Sequence, residues 1–126
     1  MPAPGTKPTT PDFEAVLTKA VLNAADKLGV TGSALAPVLG VSEATVSRMK
    51  SGDYRLEVKT KPFELGVLFV RLFRSLDTIV GGDEAAARAW LSYKNLALGD
   101  TPAQQIRTVE GLVDVVAYLD ARRAPI

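Results

Sequence analysis

The sequence predicts an all-α protein: an N-terminal helix-turn-helix module joined by a long central helix to a small C-terminal helical domain. Apolar residues recur at the three-four spacing of amphipathic helices in successive stretches of the chain. Ser, Thr or Asp precedes most of these stretches and glycine follows them, as helix caps require. The only strand-like alternation, Tyr54, Leu56 and Val58, sits in a segment that reads either as a short extended piece or as an irregular linker whose apolar members clamp two modules; the linker is preferred.

Residues 1–11 hold Pro2, Pro4, Pro8 and Pro11 with Gly5, a composition with little to bury, and are expected to form a disordered tail. Thr10 and Pro11 read as cap and first helical residue. Phe13, Val16, Leu17, Ala20, Val21, Ala24 and Leu28 then form one apolar stripe, which Gly29 ends.

Residues 33–52 spell two short helices around a tight turn. Leu35, Ala36 and Leu39 share a face, and Ala36 is small enough for a second helix to cross closely. Gly40 ends the first helix, Val41 turns inward between the two, and Ser42 caps the second. Val46 and Met49 face the first helix, leaving Glu43, Ala44, Thr45, Ser47 and Arg48 outward. Gly52 closes the unit. With the linker it makes a module over residues 12–61, and residues 62–126 make the second domain.

Pro62 opens the most apolar segment. From Phe63 to Val80 the residues Leu65, Phe69, Leu72, Phe73, Leu76, Ile79 and Val80 form one face, while Val67, Leu68 and Val70 add a second. Such a helix must be covered on both sides, as a central core helix or at a subunit interface. Gly81 and Gly82 break it, Asp83 caps a helix from Glu84 to Ser92, and Tyr93 to Gly99 is a loop. Thr101, Pro102 and Gln104 have capping-box grammar for a short helix reaching Arg107. Thr108 caps the last helix, with Leu112, Val113, Val115, Val116 and Leu119 facing the core.

Composition narrows the function classes. The 126 residues include no cysteine and no histidine, so thiolate nucleophiles, imidazole bases, disulfides and Cys/His zinc sites are excluded. No convincing carboxylate pair replaces them, so no enzyme, metal or cofactor is expected. The longest apolar run, Leu65 to Val70, is far short of the roughly 20 residues that span a bilayer, which points to the cytoplasm. Net charge is +1, but between Arg48 and Lys61 five cations (Arg48, Lys50, Arg55, Lys59 and Lys61) outnumber Asp53 and Glu57, a local excess beside the second helix of the motif.

The second half carries a distinctive series: Trp90-Leu91, then Leu98-Gly99, Thr101-Pro102, Thr108, Gly111, Val115-Val116 and Leu119. This resembles the C-terminal toxin-binding domain of the Xre/MbcA/ParS antitoxins, in which an Xre/Cro-like helix-turn-helix comes first. Asp100 stands where that family often has a second glycine, which predicts a local change in the loop. The resemblance implies a cognate RES-domain toxin that consumes NAD+, an active site blocked by the antitoxin, and repression of the shared operon through promoter DNA.

In helix-turn-helix geometry the start of the second helix enters the major groove. Glu43, Ala44, Thr45 and Arg48 then sit near base edges and Ser42, Ser47 and Lys50 near phosphates, with Arg48 the best candidate for a base-specific contact. One such motif covers a half-site, so a homodimer, alone or within a larger toxin complex, is expected. For the toxin the candidates are Tyr93, Lys94 and Asn95 with the terminal Arg122, Arg123, Pro125 and Ile126, placed to enter or cover a nucleotide cleft. The competing reading is a stand-alone repressor whose C-terminal half dimerises or senses a ligand.

Overall fold

The computed structural model describes residues 12–123, and within them the chain forms seven helices and no strand. The expected tail, with Thr10 and Pro11, lies outside the described residues. The helices are α1 (Phe13–Leu28), α2 (Gly32–Leu39), α3 (Glu43–Ser51), α4 (Lys61–Ile79), α5 (Glu84–Ser92), α6 (Pro102–Gln105) and α7 (Val109–Arg123). Among the described residues no helix is long and apolar enough to cross a membrane.

Capping chemistry sets most of the boundaries. Asp12 caps α1, accepting from the Ala15 N–H at 3.1 Å. Thr31 does the same for α2, Ser42 for α3, Thr60 for α4 and Asp83 for α5. α4 therefore starts at Lys61 with Pro62 inside its first turn, where a missing N–H costs nothing. The capping box expected at α6 does not form: Thr101 makes no side-chain cap bond and the helix stops at Gln105, short of Arg107.

The α1 stripe is rotated from its expected position. Thr18, Val21, Ala24, Ala25 and Leu28 are buried, whereas Phe13 and Val16 are exposed. The buried arc is centred near Val21, so the two early residues fall at its edge. Thr18 escaped a hydrophobic count because it is polar; its hydroxyl is buried to accept from the Leu56 N–H at 2.9 Å. That bond, with the fully buried Leu56 side chain, holds residues 54–57 on the body as irregular chain, as the linker reading expected.

α4 is the central helix. It packs most extensively on α7, then on α1 and α2, and touches α5. Phe69, Leu72 and Leu76 are completely buried there, while Ile79 reaches solvent at the helix end. Gly66 lets α1 approach: a Cβ at this position would meet Leu56, Val21 and Leu17 at 3.1 to 3.4 Å. α7 buries Leu112, Val115, Val116 and Leu119 and leaves Val113 exposed, one position too far round the helix. Gly111 is required by close approach, since a Cβ there would fall on the Gln105 carbonyl oxygen.

Candidate functional site

The helix-turn-helix is closed by local contacts at its turn. At its turn Gly40 takes a left-handed backbone, φ 72°, which a side chain would strain. The Val41 N–H then reaches back to the Ala36 carbonyl at 3.0 Å. Val46 and Met49 are buried, and the opposite face of α3 remains in solvent: Ser42, Glu43, Ala44, Ser47, Arg48 and Lys50 are exposed and Thr45 is half-buried.

Three polar side chains on that face form a ladder. Ser42 Oγ accepts from the Thr45 N–H at 3.1 Å and shares a hydrogen bond with Thr45 Oγ1 at 3.0 Å. The Arg48 guanidinium donates to the same Thr45 oxygen at 3.3 Å. This leaves most of the five guanidinium N–H donors free, on a side chain already oriented along the helix. Lys50 leans elsewhere, with its Nζ about 3.2 Å from where a Cβ on Gly32 would stand, at the start of α2.

The basic window from Arg48 to Lys61 is partly neutralised. Arg55 pairs with Asp12 at 2.7 Å and with Glu14 at 4.0 Å, and Lys61 with Glu64 at 3.4 Å. The Ala15 N–H, followed by Arg55, holds the Asp12 carboxyl below its ordinary pKa. Arg55 thus anchors the linker to α1, while among the described residues Arg48, Lys50 and Lys59 have no carboxylate within ion-pair reach.

At the other end of the chain, the loop after α5 presents Tyr93, 71% exposed, and Leu96, 90% exposed. Its shape is fixed from within. Asn95 Oδ1 accepts from the Leu98 N–H at 3.1 Å, the Asn95 N–H donates to the Asp100 carbonyl at 3.0 Å, and Gln105 Nε2 donates to the Leu98 carbonyl at 2.8 Å. Asp100 bonds the next N–H, that of Thr101, at 2.7 Å, so the loop closes with an aspartate there. Beside this loop Trp90 stacks on Tyr118 with ring centres 6.2 Å apart, and Arg122 lies 4.6 Å over the Tyr118 ring.

Two family models match the chain. The antitoxin Xre-like helix-turn-helix domain covers residues 9–71, and the antitoxin Xre/MbcA/ParS C-terminal toxin-binding domain covers residues 75–124. The chain belongs to the Xre/MbcA/ParS antitoxins. No curated protein matches it. The first match runs to Arg71, well into α4, in keeping with the packing of α4 on both α1 and α2. The antitoxin therefore joins a DNA-binding helix-turn-helix to a domain that binds a toxin.

Of the residues singled out from sequence for DNA, Ser42, Glu43, Ala44, Thr45, Ser47 and Arg48 lie together on the outward side of α3 and Lys50 stands apart. Those singled out for the toxin do not form one patch of free side chains. Tyr93 and Lys94 are exposed, but Asn95 works inside its own loop. Arg122 covers Tyr118, and Arg123 donates to Ser75 Oγ at 3.2 Å. Pro125 and Ile126 lie outside the described residues. Leu96 was not singled out, although two leucines, Leu96 and Leu98, between Asn95 and Gly99 in a predicted loop were themselves a signal of apolar surface. Tyr118 was missed because an aromatic at helical spacing reads as core.

Proposed function

We propose that the partner of this antitoxin is a RES-domain toxin that degrades NAD+, and that the antitoxin silences it by covering its active site. Residues 62–126 form the toxin-binding domain in this reading and residues 12–61 the DNA-binding module with its linker. The observation that carries it is the loop after α5: Tyr93 and Leu96 stand out from a turn whose backbone is already closed by Asn95 and Gln105. An apolar tip held in shape loses little conformational freedom when it enters a cleft. Co-expression with the toxin encoded beside it, with cellular NAD+ as readout, tests this reading. NAD+ falls when the toxin is alone, recovers with the antitoxin, and falls again with Leu96→Asp or Tyr93→Ala. A toxin that forms the complex but leaves NAD+ unchanged removes the RES assignment and keeps the docking loop.

For DNA, the proposed base-reading residues are Glu43, Ala44, Thr45 and Arg48, with Ser42, Ser47 and Lys50 on phosphates, and the operator is bound by a homodimer that represses its own operon. Support comes from the exposed Ser42–Thr45–Arg48 ladder and from the half-site covered by one motif, two such sites lying about 34 Å apart along a duplex. Co-purification with a stoichiometric toxin separates this reading from that of a stand-alone repressor.

A further inference from the structure

One large apolar feature belongs to neither face. α1 and α4 lie side by side, and between them runs a groove of about 380 Å³ walled by Phe13, Val16, Phe63, Val67 and Val70, with Arg74 at its edge. Phe13 is 59% exposed, Val16 62% and Val67 46%. Apolar residues scattered singly on a surface are ordinary, whereas a contiguous apolar groove marks an interaction site. None of its lining comes from α3 or from residues beyond Arg74, so an occupant here leaves the outward face of α3 and the loop after α5 open.

We propose that the occupant is a second copy of this chain, with the two α4 helices antiparallel across the groove. On α4 the wall is formed by Phe63, Val67, Val70 and Arg74, at spacings of four, three and four, the pattern of a helix–helix seam. A two-fold axis between Val67 and Val70 sets Val67 of one copy against Val70 of the other. The same rotation brings Phe63 of one copy to Arg74 of the other at both ends of the seam, with Glu64, the next residue, on its flank. Helical rise places Phe63 and Arg74 about 16 Å apart, three turns of contact.

Charge favours a second copy over an unrelated partner. An isologous interface must be complementary to itself, and here an acid before the apolar centre and a base after it meet that condition only when the helices run antiparallel. A parallel pair would oppose Glu64 to Glu64 and Arg74 to Arg74. Among the described residues Arg74 has no ion-pair partner within its own chain, and Glu64 pairs through α4 only with the exposed Lys61. Arg74 over the Phe63 ring adds a cation–π contact.

This inference rests on the reading that two copies bind the operator, and it names the surface they share. Sedimentation velocity on the full chain is expected to show a dimer that Val67→Asp or Val16→Asp weakens by at least about tenfold, with circular dichroism unchanged because both side chains are exposed. Glu64→Arg and Arg74→Glu should each weaken association, and the two combined in one chain should restore it. The chain has no cysteine, so oxidising a mixture of the Val67→Cys and Val70→Cys variants should yield a cross-linked mixed dimer. A dimer indifferent to Val67→Asp and Val16→Asp overturns the groove assignment and leaves the dimeric reading standing. A chain monomeric both free and on operator DNA overturns both. Variants that remain dimeric but no longer bind toxin give the groove to the toxin, which also overturns the proposal.

Discussion

The Ser75 hydroxyl donates to Asp120 Oδ1 across 2.7 Å and so ties the C-terminal part of α4 to the end of α7. Ser75 is completely buried, and its oxygen also accepts from Arg123, while Arg71 reaches the other Asp120 oxygen at 2.6 Å. Replacing Ser75 with alanine removes a hydrogen bond to a charged acceptor from inside the largest helix–helix contact. The expected loss is about 1.5–3 kcal/mol, discounted toward the lower end by the solvent that reaches Asp120, and measurable as a lower denaturant midpoint with unchanged slope.

The same pair makes stability depend on acid. Ser75 first, then Arg71, hold the Asp120 carboxyl below its ordinary pKa, against a desolvation that pushes it up. A carboxylate lowered in the folded state contributes stability that is fully present above the unfolded value of about 4 and is lost as pH falls through the folded one. Asp120→Asn should therefore lower stability near neutral pH and flatten its decline below about pH 4. An acid unfolding profile parallel to that of the unmodified protein would contradict this.

The Arg48 side chain hydrogen-bonds to Thr45 and is exposed. Arg48→Ala should leave thermal unfolding unchanged and cost about 1–3 kcal/mol in operator affinity, with relaxed preference at one base pair. Fluorescence anisotropy on the operator and on single-base variants measures both. A uniform loss across all sequences would instead make Arg48 a phosphate contact.

Gly111 has no room for even one added carbon, because the Gln105 carbonyl occupies that space. Gly111→Ala should force α6 and α7 apart at a cost of about 1–3 kcal/mol. If the loop after α5 docks the toxin as proposed, toxin affinity should fall with it, since Gln105 also holds that loop's Leu98 carbonyl. A surface alanine variant such as Ser47→Ala serves as the control for unfolding.

Local chemistry is what the sequence carried well. The caps at Ser42, Asp83 and Thr108 and the turn at Gly40 each depend on one or two residues, and each occurs where expected. What depended on distant partners was misplaced or invisible. Phe13, Val16 and Val113 have the right spacing, but a stripe wider than the neighbouring helix leaves its edge in water. Arg55 counted as free positive charge until folding brought Asp12 and Glu14 to it; the Lys61–Glu64 pair, three residues apart on one helix, was legible locally. Asn95 and Arg123 looked available for a partner because polar residues near a loop or an end usually are. The Arg123 bond to Ser75 spans forty-eight residues, which no local pattern encodes, whereas the Asn95 bond to the Leu98 N–H is a local turn that an Asn in a loop can make.

Arg88 of α5 donates from Nε to the Lys27 carbonyl and from a terminal nitrogen to that of Asp26, each at 3.0 Å, while Lys27 meets Glu84 at 3.3 Å. The last turn of α1 is thus finished by a side chain that arrives some sixty residues later in the chain. Losing the chain after Lys61 would strip α1 of that clasp and of the α4 surface on which it rests. Degradation of the second half would then cost the helix-turn-helix its support as well as removing the toxin-binding domain, so the two binding functions would be lost together.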